Sequence, residues 1–385
     1  MNPHYILFDT PERDLLYPFA HTRPVAAFKV GLLTIREKWE RWLNTSPISY
    51  FTTDYLQTKY PLQKAPKGAV TILLNGHLLP SAPLLEVIRK LEPGQELYKD
   101  GRLLVKVISG EDFFSPSTSE RVNYEGDILR IDQPWHIFQY NDAAIRDDFA
   151  LLTAGRVSAP LSSTNQVLNH ENIFIEPGAV VECSILNATA GPIYIGKNAQ
   201  VMEGSMIRGP FGLGESSVLK MGSRIYGATA IGSRCVAGGE IKNSVIFDHS
   251  NKGHDGYLGD AVIGEWCNLG AHTCCSNMKN NAREVRIWME ARQEAWSAGP
   301  KCGVLMGDFS RCSINTMFNT GTVIGVSCNV FGPVFPPKFL PSFSWGGTDR
   351  YRLDEALRDA DAWMQLKGQS LTDGDTQILT YVFPG

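Results

Sequence analysis

The sequence predicts two fold classes in one chain: an α/β domain over 1–155, then an all-β parallel β-helix over 173–335. Three observations carry this. In the front part, short apolar runs alternate with longer amphipathic segments, as strands and helices of an α/β sheet do. From about 173, an aliphatic residue recurs every six positions, often with Gly next. Beyond 335 an aromatic, proline-rich arm leads into one amphipathic segment, "DRYRLDEALRDADAWMQL" (349–366), which reads as a helix capping the β-helix over 336–385.

In the front domain, "HYILF" (4–8) reads as a strand and "KVGLLTIREKWERWL" (29–43) as an amphipathic helix. "AVTILLNG" (69–76) is a continuous apolar run, the pattern of a buried parallel strand. "APLLEVIRKL" (82–91) reads as a helix and "LLVKVIS" (103–109) as a strand. "NDAAIRDDFALLTAGR" (141–156) is a helix that starts at Asn141 or Asp142 and has a Gly near its end. A polar linker is expected over 156–172.

The hexads run in register as "IGKNAQ" (195), "VMEGSM" (201), "IRGPFG" (207), "LGESSV" (213), "LKMGSR" (219), "IYGATA" (225) and "IGSRCV" (231). The phase slips by two near 240 and resumes at "YLGDAV" (257), "IGEWCN" (263) and "LGAHTC" (269). After an interruption it returns at "LMGDFS" (305), "MFNTGT" (317) and "VIGVSC" (323). A period of six is the repeat of a triangular parallel β-helix, with one hexad per side and the aliphatic residues stacked inward. Gly or another small residue suits the corners, where the backbone turns tightly. Residues 280–303 break the pattern and read as an excursion from the prism.

Composition narrows the function classes. A net charge of −4 without a basic block argues against a nucleic-acid binder, which needs a concentrated cationic field. No apolar run approaches the ~20 residues of a membrane span. The first residues carry neither a basic region nor a long apolar one, so no signal peptide is expected and the reading is cytoplasmic. All eight cysteines lie between Cys183 and Cys328 without C-x-x-C spacing, which reads as reduced thiols used as small core residues.

One stretch stands apart. "GHDGYLGD" (253–260) gathers a histidine, a tyrosine and two aspartates inside the regular repeat. With its surroundings it resembles the acetyltransferase half of the bifunctional N-acetylglucosamine-1-phosphate uridyltransferase/glucosamine-1-phosphate N-acetyltransferase family. That family carries G-H-x-x-Y-L-G-D followed by I-G-x-x-x-N-x-G-A. The matching residues are Gly253, His254, Tyr257, Leu258, Gly259 and Asp260, then Ile263, Gly264, Asn268, Gly270 and Ala271. Arg224 and Lys242 stand where the family has an arginine and a lysine that hold the phosphate side of the sugar, and Asn277 matches a further sugar-binding asparagine.

The resemblance implies a left-handed parallel β-helix of hexapeptide repeats and a homotrimer with active sites between prisms. It also implies acetyl-CoA as co-substrate, resting on backbone around Ala271 and Ser313. His254 is the expected general base, because an amine must lose a proton before it attacks a thioester, and imidazole titrates near neutral pH. Lys242 and Arg224 would hold phosphate, and Tyr257, Asn268 and Asn277 would position the sugar. The chain departs from the family at His272, where a small residue is usual. Eighteen residues after His254, it is expected on the adjacent coil, roughly 5 Å away. There it would narrow the acetyl-CoA approach or change the acyl donor. Alternatively His249, His254 and His272 would bind zinc, as in hexapeptide carbonic anhydrases.

The front stretch, 6–39, is similar to the start of sugar-nucleotide transferases, so a nucleotidyltransferase-like domain is implied. Arg13, Thr22, Arg23 and Pro24 match, with Arg13 and Arg23 as the nucleotide-binding candidates. "DTPERD" replaces the Gly-rich turn, and Val25 stands where a lysine is usual. The strand that should end in a Mg²⁺-binding aspartate ends instead in Asn75-Gly76-His77. Asn141 fits the place of a second metal ligand. The arrangement resembles divergent sugar nucleotidyltransferases with hexapeptide tails of the Bacteroidetes type.

Three functions follow. The first is an acetyl-CoA-dependent N-acetyltransferase acting on an amino-sugar 1-phosphate or a nucleotide-linked amino sugar. The second is a sugar-1-phosphate nucleotidyltransferase, using Mg²⁺, with the prism as trimer scaffold. The third is a non-enzymatic sugar-nucleotide binder.

Overall fold

A computed structural model describes residues 3–66, 68–109, 120–347 and 349–384. The chain divides into two compact units: residues 1–16, 23–28 and 33–132 form the first, and 17–22, 29–32 and 133–385 the second.

The first unit is built on a six-stranded mixed sheet. Strand His4–Phe8 pairs in parallel with Ser49–Phe51 on one side and with Val70–Asn75 on the other. Val70–Asn75 is buried as its apolar run demands, but its far neighbour, Arg102–Ser109, is antiparallel. Gln95–Lys99 and Glu120–Asn123 complete the sheet.

The expected helix over 29–43 begins only at Ile35 and runs to Leu43. Gly31 takes φ +81, which no helix interior accepts. Thr34 then caps the helix: its hydroxyl accepts from the Glu37 N–H while the Glu37 carboxylate accepts from the Thr34 N–H. The helix expected over 82–91 is shorter, Ala82–Ile88.

The second unit is a three-sided parallel β-solenoid. Its first face runs from Ile173–Ile175 to Phe339–Leu340 in nine strands, and its second from Val180–Val181 to Ser344–Trp345, where antiparallel Asp349–Arg350 closes it. The third face runs from Gln166–Leu168 to Tyr257–Gly259, and farther along Cys274–Cys275 pairs with Met317–Phe318. The inward stack is the aliphatic series of the repeat. Ile195, Val201, Ile207, Leu213, Leu219, Ile225 and Ile231 are all buried in one core.

The slip near 240 is a shortened coil. Val218 lies opposite Val236, whereas Val236 lies opposite Asn251 in the next coil. Beyond it Ile263 and Leu269 still head their hexads and face inward, but in the hexads from 257, 305, 317 and 323 the inward residue is the second one. Leu258, Met306, Phe318 and Ile324 face the core, and Tyr257 and Met317 face out. Residues 280–303 form an antiparallel hairpin, Arg286–Met289 with Glu294–Ser297.

Helix Asn141–Thr153 belongs to this unit, as does segment 29–32. Lys29 pairs with Asp248 at 2.9 Å, and the Thr22 hydroxyl donates to the buried Asp308 carboxylate at 2.5 Å. Two helices close the C-terminal end, Leu353–Gln365 as expected and Asp373–Val382 in addition. They cover the aromatic column Trp266, Phe309 and Phe343 at one corner of the prism. All eight cysteines are free thiols, and six of them are buried. No helix among the described residues is long and apolar enough to cross a membrane.

Candidate active site

Strand alternation builds the site on the third face. In Arg224-Ile225-Tyr226 and Glu240-Ile241-Lys242 the isoleucine points into the core, so the flanking residues point out. The register then sets two rows across neighbouring coils. Arg224 is opposite Glu240, and Glu240 is opposite Tyr257. Tyr226 is opposite Lys242, and Lys242 is opposite Gly259. Neighbouring strands lie ≈ 4.8 Å apart, so the rows make one continuous polar surface.

Glu240 organises it. Its carboxylate accepts from the Tyr226 hydroxyl at 2.6 Å and lies 3.8 Å from the Arg224 guanidinium. The hydrogen bond to Glu240, with burial adding to it, pushes the Tyr226 phenol up to about 12. Arg224 also approaches Asp255 at 3.8 Å. A concavity of about 670 Å³ opens beside these residues, lined in part by Asn187, Arg208, Arg224, Tyr226, Glu240 and Lys242.

Tyr257 and Asn277 come together. The Asn277 amide donates to the Tyr257 phenolic oxygen at 3.0 Å and to the Asp260 carboxylate. Asp260 also accepts from Asn243 at 2.7 Å. Burial, followed by the nearby Asp260 charge, pushes the Tyr257 phenol well above its ordinary value.

His254 lies at the corner that leads from the second face onto this surface, with an exposed ring. Ala271 and Ser313 occupy the same corner on the next two coils. Asn268 pairs with Arg311, the Asn315 N–H donates to the Ala271 carbonyl at 2.7 Å, and a Cβ on Gly270 would meet Ser313.

Two expected placements differ, that of His272 and that of the zinc set. His272 is not opposite His254. Asn251 is opposite Asn268, so equal corner lengths set His254 against Ala271 and His272 against Asp255. The closeness of Gly256 to the Thr273 carbonyl fits this offset. Asn268 lies on the second face, where its amide oxygen accepts from Asn251 at 3.4 Å. The zinc set does not assemble: the His249 ring stacks on Trp266 at another corner, 4.2 Å between centroids, and no group of three metal-capable side chains occurs among the described residues.

The front candidates are held structurally. Arg13 and Arg23 are buried in the first unit. Arg13 bonds to Asp9 at 3.3 Å and Asp14 at 3.2 Å. Asp9, just past strand His4–Phe8, also accepts from the Val25 N–H and the Thr52 hydroxyl. His77 is buried, with Nδ1 bonded to the Ile131 carbonyl at 2.7 Å, and burial pushes its pKa down. Asn75 is spent on the His77 N–H and the Leu103 carbonyl. Asn141 is buried in the second unit, its oxygen accepting from the Gly31 N–H and its amide donating to the Ala228 carbonyl. Mg²⁺ binds through one or two carboxylates beside phosphate. Neither the Asn75–His77 strand end nor Asn141 provides that donor set.

Residue offsets alone missed Tyr226, Glu240 and Asn243, and the motif match gave Asp260 no role. The polar-aliphatic-polar triplets at 224–226 and 240–242 carried the signal for the first two.

Comparison with known proteins covers both parts of the chain. A sugar nucleotidyl transferase family model matches residues 5–157. The bifunctional protein GlmU of Methanocaldococcus jannaschii is 32% identical over 89 residues, 23% of this chain and 21% of that protein. The bifunctional sugar-1-phosphate nucleotidylyltransferase/acetyltransferase of Sulfurisphaera tokodaii is 28% identical over 210 residues, 54% of this chain and 46% of that protein. The chain thus spans from about a fifth to about half the length of these two relatives. The putative uncharacterized acetyltransferase YaiX of Escherichia coli is 33% identical over 179 residues, 46% of this chain and 75% of YaiX. With 33% identity over three quarters of YaiX, the chain belongs to the same family as that putative acetyltransferase, and its front region matches the sugar nucleotidyl transferase family model.

Proposed function

We propose that the second unit is an N-acetyltransferase that moves the acetyl group of acetyl-CoA to the amine of an amino-sugar 1-phosphate. The observation that carries the reading is the third-face surface: Arg224, Lys242 and Tyr257 point outward from three neighbouring coils, beside the His254 corner. Arg224 and Lys242 hold the phosphate. Tyr257, fixed by Asn277, accepts or donates at a sugar hydroxyl. His254 takes a proton from the sugar ammonium. The freed amine attacks the thioester carbonyl, the C–S bond breaks, and coenzyme A leaves as its thiol. Ala271 and Ser313 present backbone to the coenzyme on the adjoining coils. The exposed third face fits a homotrimer with its sites between prisms, and the chemistry fits a cytoplasmic enzyme supplied with sugar phosphates.

Thiol release from acetyl-CoA with glucosamine 1-phosphate tests this. Loss of a general base typically costs about 10²–10⁴-fold, so His254→Ala should lower the rate by that factor. No release from the wild type with any of several amino-sugar phosphates would refute the reading.

The family-model match over 5–157 favours a second reading, sugar-1-phosphate nucleotidyl transfer by the front unit. The engaged side chains of Asp9, Asn75 and His77 weigh against it. Pyrophosphate release from a nucleoside triphosphate, a sugar 1-phosphate and Mg²⁺, without acetyl-CoA, would establish it.

A further inference from the structure

One residue breaks the inward stack of the second face. The inward column there runs Val181, Val201, Leu219, Ala237, Lys252, Leu269, Cys312 and Val330. Seven of these positions are small or aliphatic, and the eighth is a lysine, 3% exposed. It stands in the coil that carries His254. Its Nζ donates to the Gly238 carbonyl at 3.0 Å and to the His254 carbonyl at 2.5 Å. Gly238 precedes the third face on the previous coil, and a Cβ there would meet the Gly253 carbonyl. The ammonium therefore ties the two coils together where the backbone turns from the second face to the third.

We propose that Lys252 is a positioning residue for the acyl-transfer site, whose buried ammonium fixes the corner that presents the His254 imidazole. The inference rests on the reading of His254 as the base. Buried inside the prism, Lys252 acts through the backbone of residues 253–256.

The energetics argue against a purely structural role. Burial pushes the Lys252 pKa down to about 8, and the charges facing it only partly offset this: Asp255, Cys274 and Cys312 raise it and Arg224 lowers it. Between about pH 8 and the ordinary lysine value, the unfolded chain holds a proton that the folded chain has shed, so this group adds stability as pH rises through that window. At neutral pH the buried charge is a cost. The neighbouring coils show that Ala or Leu fits the same position without it. A charged group that burdens the fold and bonds the candidate base's own backbone has the marks of a functional placement.

Lys252→Met removes the ammonium and keeps an apolar stem of the same length. At pH 7 the variant should melt no lower than wild type. Its kcat for acetyl transfer should fall at least about tenfold, with KM little changed, the split expected when geometry in the transition state is lost. Wild-type activity should decline as pH rises through about 8, and this limb should vanish in the variant. Amide hydrogen exchange at 253–256 should be faster in the variant at pH 7. Unchanged kcat together with unchanged exchange would overturn the proposal, and so would a lower melting temperature that alone accounts for lost activity. If the wild type itself transfers no acetyl group, the His254 reading fails, while exchange and melting still decide whether Lys252 holds the corner.

Discussion

The Asn277 amide donates to the Tyr257 phenolic oxygen across 3.0 Å, joining a residue of the third face to one just past strand Cys274–Cys275. The same amide reaches Asp260, so a single side chain sets the rotamers of a phenol and a carboxylate. Asn277→Ala should loosen both. A neutral hydrogen bond contributes roughly 0.5–1.5 kcal/mol, so the KM for the amino-sugar phosphate should rise about two- to twelvefold. The acetyl-CoA KM should not move. Steady-state kinetics with each substrate varied in turn checks this, and an equal rise in both constants would contradict the assignment of Asn277 to the sugar.

Thr22 gives a second prediction. Its hydroxyl donates to the Asp308 carboxylate, which also accepts from the Glu265 N–H at 2.8 Å. Both side chains are buried. A hydrogen bond to a charged group contributes roughly 1.5–3 kcal/mol. Thr22→Val keeps the shape and should destabilise the second unit by about that amount in urea unfolding. A change below about 0.5 kcal/mol would mean that water or another donor replaces the hydroxyl.

The first coils carry a pH-dependent contribution. Glu176 accepts from Arg156 at 2.6 Å and from the Tyr194 hydroxyl at 2.5 Å. The Arg156 hydrogen bonds hold the Glu176 carboxyl below its ordinary value, Tyr194 adding to them against the effect of burial. A depressed carboxylate stabilises the fold above its unfolded pKa, and that stability is lost as pH falls through the folded value. Wild type should therefore melt higher than Glu176→Gln at pH 7, and the gap should close in acid. Arg156 is partly exposed, so the gap should be small and shrink with salt. A gap that persists unchanged at low pH would assign the effect to packing.

The solenoid was legible because its core is one-dimensional. Each inward aliphatic, Ile207 or Ile225, reports its own coil, and a period of six survives local insertions. Corners were less legible. The spacing of His254 and His272 is set by how many residues each coil spends on its turns, and the coil from Asn251 to Asn268 is one shorter than the repeat. Asn268 follows Tyr257 by about two sides of the coil, so the hexad spacing itself puts the two on different faces. In the front unit the apolar runs gave the strands, while the start of helix Ile35–Leu43 was hidden because Gly31 lies within an otherwise helical pattern. Lys252 was invisible for another reason. A lysine beside a glycine reads as a surface residue until the register shows which way it points.

Two thiols report whether the third face is an interface. Cys183 and Cys274 are exposed, and the other six are buried. Burial holds the thiols of Cys235 and Cys275 at about 12 and that of Cys328 at about 11, so these are poor nucleophiles near neutral pH. A free prism should thus show two fast thiols with an aromatic disulfide reagent. Cys274 lies on the strand beyond Tyr257, on the side of the prism that carries the candidate site. If three prisms pack through that side, Cys274 becomes slow and Cys183 stays fast. Cys183→Ser should then show no fast thiol in a particle of trimer mass by sedimentation, and dilution to monomer should restore the Cys274 reaction. Fast labelling of Cys274 within a trimer would place the interface elsewhere and leave the site to a single prism.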